Sequence, residues 1–271
     1  MIPIKRLILV EGLPGTGKTT IIEWIANRLP EKGEHVNLLF EGDSHIPCDF
    51  YETAGIPQAA FDEICNNNPE SAADLNKQAL YAEDYVFLRI DESPACVQSI
   101  LRRWDMGDEM NQMVTVTDYI PCAMARIKHW VQSVKNDCST TLIDSGFLQN
   151  PINELLFRGA TDHQVETFIR EIAIEFEPLH PFCVYLYRNS AKEALSFAEH
   201  VKGKEWAERV RDLLRQSGQE NLFERRFKLE MRLLTAELLP HICCEIKSDD
   251  WPYAKEYINR LLINKDILCK N

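Results

Sequence analysis

The stretch Val10-Glu11-Gly12-Leu13-Pro14-Gly15-Thr16-Gly17-Lys18-Thr19-Thr20 decides the fold. Residues 12–19 fit the spacing G-x-x-x-x-G-K-[ST] at every position. Gly12, Gly15 and Gly17 let a loop wrap closely and aim its N–H groups inward, around Pro14 and Thr16. Thr20 extends the loop into a helix whose positive end faces the same point. Lys18 is placed to reach the β- and γ-phosphates of a nucleotide, and Thr19 to ligate Mg²⁺. An apolar run, Leu7–Glu11, precedes the loop, and an amphipathic pattern from Lys18 to Arg28 follows. Strand, glycine loop and helix in that order predict an α/β fold.

Four further apolar runs read as strands: Val36–Phe40, Thr140–Asp144, Phe182–Tyr187 and Ile242–Ile246. Each leads into loop chemistry and then a helical pattern, which predicts a doubly wound, five-stranded parallel sheet. The last unit, "CCEIKSDDWPYAKEYINRLLINK", reads as a strand, a turn with a Ser/Asp cap and a closing helix. Two long segments interrupt the series. Residues 42–137 read as a mainly helical insertion, with helices expected at Ala72–Phe87, Cys96–Arg103 and Asp118–Val134. Residues 190–239 read as a helical, charge-dense lid. Ligands of open α/β sheets bind at the carboxyl ends of the strands, so these are the expected acceptor-binding region and lid of one domain spanning 1–271.

Composition narrows the function. The chain has 271 residues, 45% of them hydrophobic, and a formal net charge of −12. That charge argues against nucleic acid or an anionic membrane as the main partner. No run is long and apolar enough for a membrane helix, and the N-terminal run lacks the form of a signal peptide. The nine cysteines form no C-x-x-C pair, which fits reduced thiols in a cytoplasmic protein. "YVFLRI" (85–90) is expected to line either the core or a homodimer face.

Several residues outside the loop carry candidate chemistry. Asp144 ends the third apolar run, where a carboxylate can order Mg²⁺ and its waters; an Asp also simply terminates strands there. After the second run, "FEGDSHIPCDF" crowds Glu41, Asp43, His45 and Asp49 into nine positions. Asp43 is the expected general base for an acceptor hydroxyl, with His45 and Asp49 as substrate contacts or loop caps. Gln149 and Asn150 follow the third run as neutral donors to an acceptor, although Asn150-Pro151 is equally a helix-starting turn. Arg188 follows the fourth run as a cation for transition-state charge.

Together these segments resemble the small P-loop kinases: nucleoside and nucleotide kinases, shikimate kinase and chloramphenicol phosphotransferase. "LILVEGLPGTGKTT", "EGDSHIPCDF" and "SGFLQNPINELLFRG" also look like thymidylate-kinase-like P-loop proteins of bacteria. The resemblance implies ATP and Mg²⁺ binding, a helical lid, and an Asp after the second strand that meets the acceptor hydroxyl, which is Asp43 here. It departs from thymidylate kinases at Asp144-Ser145, where those have Asp-Arg. The alternative expectation is a hydrolytic or regulatory NTPase acting with a protein partner. From Glu41 to Leu88 there are ten acidic residues and one basic one, Lys77. Such a region suits a neutral or cationic small-molecule acceptor better than an anionic one.

Overall fold

The computed structural model describes residues 7–29, 35–247, 251–265 and 267. Five parallel strands form the main sheet: β1 (Leu7–Gly12), β2 (Val36–Leu39), β6 (Thr140–Asp144), β7 (Pro181–Tyr187) and β8 (His241–Glu245). Their order is β2-β6-β1-β7-β8. β1 sits at the centre, with Leu7 opposite both Thr141 and Pro181. All six of its residues are buried, as a central parallel strand covered on both faces requires.

Alternate side chains divide between two layers. Ile8, Val10, Leu142 and Val184 face α1 (Lys18–Arg28) and α11 (Trp251–Asn264). Leu7, Leu9, Ile143 and Cys183 face the larger core. That core is built by α5 (Val116–Val134), α6 (Gln149–Phe157), α7 (Asp162–Phe176) and α10 (Leu222–Thr235). Helix starts are well specified: Thr115 with Asp118, and Thr161 with Gln164, form capping boxes for α5 and α7. The five expected strands are all present, within a residue at either end. The Ser/Asp cap expected before α11 lies outside the described residues. The described cysteines are free thiols, and no helix among the described residues is long and apolar enough to cross a membrane.

The insertion at 42–137 is mainly helical, as expected, and the helices expected at Cys96–Arg103 and Asp118–Val134 are present within α4 (Ala95–Leu101) with its following turn and α5. It also carries a three-stranded antiparallel sheet that was not expected, ordered β3 (Thr53–Pro57), β5 (Tyr85–Arg89), β4 (Leu80–Ala82). Helices α2 (Gln58–Asn67), α3 (Pro69–Gln78) and α4 cover it. The helix expected over Ala72–Phe87 stops at Gln78, and the chain turns into a hairpin at Glu83-Asp84, with Glu83 at φ 50°. Aromatic and β-branched residues in "YVFLR" favour the strand. Val86, Leu88 and Ile90 are buried in the insertion's own small core with Ile56, Phe61 and Leu101. "YVFLRI" is therefore core and offers no dimer face.

The segment expected as a lid divides into α8 (Ala191–Lys202), α9 (Lys204–Gln216) and α10. The last of these is not a lid: Leu222, Leu229, Leu233 and Leu234 are buried in the main core.

Candidate active site

The glycine loop joins β1 to α1 and lies at the carboxyl end of the sheet. Thr16 Oγ1 donates to Leu13 O at 2.8 Å and pins the loop's curvature. Lys18 is buried, and its Nζ donates to the same carbonyl at 3.4 Å. Burial pushes the Lys18 pKa down and outweighs the support of Asp144 and Glu41. An anionic phosphate beside Nζ would restore its preference for charge. At the loop's end, Thr19 Oγ1 donates to Asp144 Oδ2 at 2.9 Å, across 125 residues of sequence. Ser145 Oγ donates to Asp144 Oδ1 at 2.8 Å, with the Ser145 backbone at φ 70°. A hydroxyl and a carboxylate in contact beside a glycine loop are donors that could hold Mg²⁺, which takes few protein oxygens and the rest from water and ligand oxygens.

Two glycines are crowded by what covers the loop. A Cβ on Gly15 would lie 2.4 Å from Ala194 O of α8. One on Gly17 would lie 2.0 Å from the Trp251 ring. Both have positive φ, so a side chain here is excluded by conformation as well as by space.

A cavity of about 480 Å³ opens over this loop. Pro14, Gly15, Gly17, Lys18, Thr19 and Thr20 line its floor. Phe197, Val201, Trp206, Phe223 and Trp251 give it an apolar wall, and Glu41, Glu109, Gln149, Asn153 and Arg226 a polar end. An aromatic wall with a few convergent polar groups is the usual form of a small-molecule site.

The polar end is held by a buried network. Glu11 is fully buried and accepts hydrogen bonds from the N–H groups of Phe147 (2.6 Å) and Gln149 (3.1 Å), so it caps α6 from the neighbouring strand. Burial raises its pKa to about 7, against the opposing pull of those two N–H groups. Arg226 of α10 has no exposed surface. Its Nε donates to Glu230 Oε1 at 2.6 Å, and its Nη2 donates to Gly12 O at 2.9 Å and Gln149 Oε1 at 3.1 Å. Tyr185 Oη donates to Glu230 Oε2 at 2.6 Å. Gln149 Nε2 then donates to Glu41 Oε1 at 2.7 Å.

The expected loop residues, with Asp144 and Gln149, therefore converge on one place. The other expected contacts do not. Asp43 is not among the lining residues; its Oδ1 accepts from the His45 N–H at 2.9 Å and meets His45 Nδ1 at 2.7 Å. Partial burial raises its pKa, but these His45 contacts outweigh that and leave it below the usual value. Asp49 is a buried loop anchor, accepting from Gly42 N (2.7 Å) and Tyr51 N (3.0 Å). Asn150 lies outside the cavity lining, with its Nδ2 buried and without a hydrogen-bond partner. Arg188 reaches the loop from outside: its Nε donates to Gly15 O at 3.3 Å and its guanidinium lies 4.0 Å from the Phe197 ring centre.

Of the ten acidic residues from Glu41 to Leu88, Glu41 alone lines the cavity. Glu52 pairs with Arg102 and Glu83 with Lys128. Arg89 and Arg158 are likewise paired locally, with Asp91 and Glu154. Sequence reasoning did not single out Glu11, Glu41, Glu109, Arg226 or Trp251 for these places. Two of them carried a signal: Glu41 as an acidic residue next to the end of a strand that enters the site, and Arg226 as one of several basic residues in the charge-dense segment 190–239.

No protein-family model matches the chain, and no curated protein matches it at a significant level.

Proposed function

We propose that this protein is a P-loop ATP-dependent phosphotransferase that moves the γ-phosphate of ATP to a hydroxyl of a small molecule. The single observation that carries this reading is the 2.9 Å Thr19–Asp144 contact beside Lys18, on the floor of a cavity that also holds an acceptor-side carboxylate, Glu41. A phosphate loop needs only its own parts to bind nucleotide. A carboxylate lining the same cavity as that loop is what a transfer reaction adds.

Residue roles follow from position. Lys18 and the loop N–H groups hold the β- and γ-phosphates. Thr19 and Asp144 hold Mg²⁺, which supplies charge neutralisation on the phosphates. Trp251 and the Phe197–Trp206 wall offer flat apolar surface to a base or an acceptor ring. Glu41 accepts the proton of the attacking hydroxyl, the role that sequence spacing gave to Asp43. Arg188, against Gly15, adds positive charge next to the phosphates. The polar end holds Glu41 and Glu109, while Arg226 is neutralised by Glu230, so a neutral or cationic acceptor fits better than an anionic one.

The test is ADP release from ATP–Mg²⁺ with and without pooled nucleosides, nucleoside monophosphates, sugars and aminoglycosides. One of the neutral or cationic pools should stimulate release. Lys18→Ala should lower stimulated release by at least about 100-fold, the scale of losing one preorganised charge donor. Steady release that no pool changes would favour a hydrolytic NTPase instead.

A further inference from the structure

Gln149 stands between two groups that have no contact with each other. Its amide oxygen accepts from Arg226 Nη2, and its amide nitrogen donates to Glu41 Oε1. A guanidinium has only donors, so the oxygen end of the amide must face Arg226 and the nitrogen end must face Glu41. The amide cannot flip without setting donor against donor on one side and oxygen against oxygen on the other. Each neighbour is fixed in turn. Arg226 is tied to Glu230, which is tied to Tyr185, and also to the first carbonyl of the phosphate loop at Gly12. The Gln149 backbone N–H is tied to Glu11. Gln149 is 3% exposed, whereas Glu41 is exposed on a loop. The buried, tied partner therefore sets the orientation of the exposed one.

We propose that Arg226 and Gln149 are positioning residues that aim the Glu41 carboxylate at the acceptor hydroxyl. This rests on the phosphotransferase reading and adds how its base is oriented. The amide occupies Oε1 and leaves Oε2 to take the acceptor proton. In the transfer, the acceptor oxygen bonds to the γ-phosphorus as the bond from that phosphorus to the bridging β-phosphate oxygen breaks. The bond electrons leave with ADP, and the hydroxyl proton passes to Glu41 Oε2. Lys18 on α1 interacts with Glu41 and also with Asp144 on β6, Arg226 on α10 and Glu11 on β1, and Glu109 lines the same cavity. Because Arg226 also holds Gly12, the orientation of the base and the placement of the phosphate loop share one anchor.

The experiment compares three full-length variants with wild type, using ATP–Mg²⁺ and the most stimulating member of the acceptor pools. Gln149→Leu removes the donor to Glu41 and leaves Arg226 bonded to Gly12. It should lower kcat by about tenfold to 100-fold with the KM for ATP unchanged, part of the 10²–10⁴ that a positioned base contributes. Gln149→Glu keeps the tie to Arg226 but sets a carboxylate against Glu41, and should lose at least as much. The exchange Gln149→Glu with Glu41→Gln rebuilds the hydrogen bond in reverse. It should regain the melting temperature lost in Gln149→Glu while kcat stays more than about 100-fold down, because the carboxylate is now in the wrong place. An exchange variant that regains turnover along with stability overturns the proposal, since the pair would then only hold the loop. Gln149→Leu with wild-type kcat also overturns it. A wild type without acceptor-dependent turnover overturns the phosphotransferase reading and this proposal with it, which separates that failure from the others.

Discussion

Helices α9 and α10 follow one another and look alike in sequence, with dense charge around a leucine stripe. They differ in what they rest on. α10 buries Leu222, Arg226, Leu229, Glu230, Leu233 and Leu234 in the main core. α9 buries only Ala207 and Leu214. Trp206, Val210 and Leu214 border the 480 Å³ cavity and also a second one of about 390 Å³. A helix whose apolar face borders open space can shift without breaking a packed core, and one that carries a buried ion pair to the glycine loop cannot. The site thus joins a fixed wall, α10, to an adjustable one, α9. A charge pattern alone does not tell scaffold from lid.

The largest effect expected from this difference is on α10. Arg226→Met would strand the Glu230 carboxylate beside Tyr185 and free the Gly12 carbonyl. Equilibrium unfolding should show a loss of about 3–5 kcal/mol, the cost of breaking a buried pair by removing one partner. Loss of less than about 1 kcal/mol would mean that α10 is no more fixed than α9.

The same fixed region should make stability depend on pH. Glu11 has its pKa raised from 4.5 to about 7 by burial. A raised carboxyl contributes stability that is fully present below the unfolded value and lost as pH rises through the folded one. Stability should therefore fall between pH 4.5 and about 7 on account of this group, on the order of 3 kcal/mol at about 1.4 kcal/mol per unit. Denaturant melts across that range should show the slope in wild type and a flatter one in Glu11→Gln. Equal slopes would remove Glu11 as its source.

On α9 the expected changes are small for stability and larger for binding. Trp206→Ala should cost less than about 1 kcal/mol of stability while raising a substrate KM about tenfold. A large stability loss with an unchanged KM would make α9 part of the core. The smallest effect belongs to Arg211, whose guanidinium is half exposed opposite Glu199. Arg211→Ala should change stability by no more than about 0.5 kcal/mol in a thermal melt.

What the sequence made legible is local. The glycine loop, the strand before it and the helix after it depend on neighbours within 20 residues, and spacing alone placed them. Asp144 was readable because a strand that pairs with β1 ends there. The rest depends on contacts between distant residues. Arg226 meets Gly12 across 214 residues and Gln149 meets Glu41 across 108. No periodicity reports such a meeting. Asp43 and Glu41 are two positions apart, and loop geometry decides between them: Asp43 turns to His45, while Glu41 reaches Gln149. The β4–β5 hairpin was hidden because Leu80–Phe87 also suits a helical stripe, and the turn at Glu83-Asp84 lacks glycine, so nothing local announced it. The acidic count over Glu41–Leu88 described a surface more than a site, because most of those carboxylates lie away from the cavity.

The most direct measurement follows the phosphate itself. ATP labelled at the γ-position would be incubated with Mg²⁺, the protein and the pooled hydroxyl compounds, and the products separated. This account predicts label in an organic phosphate from a neutral or cationic acceptor, lost in Lys18→Ala and in Glu41→Gln. Label released only as inorganic phosphate, at a rate that no acceptor changes, would contradict it.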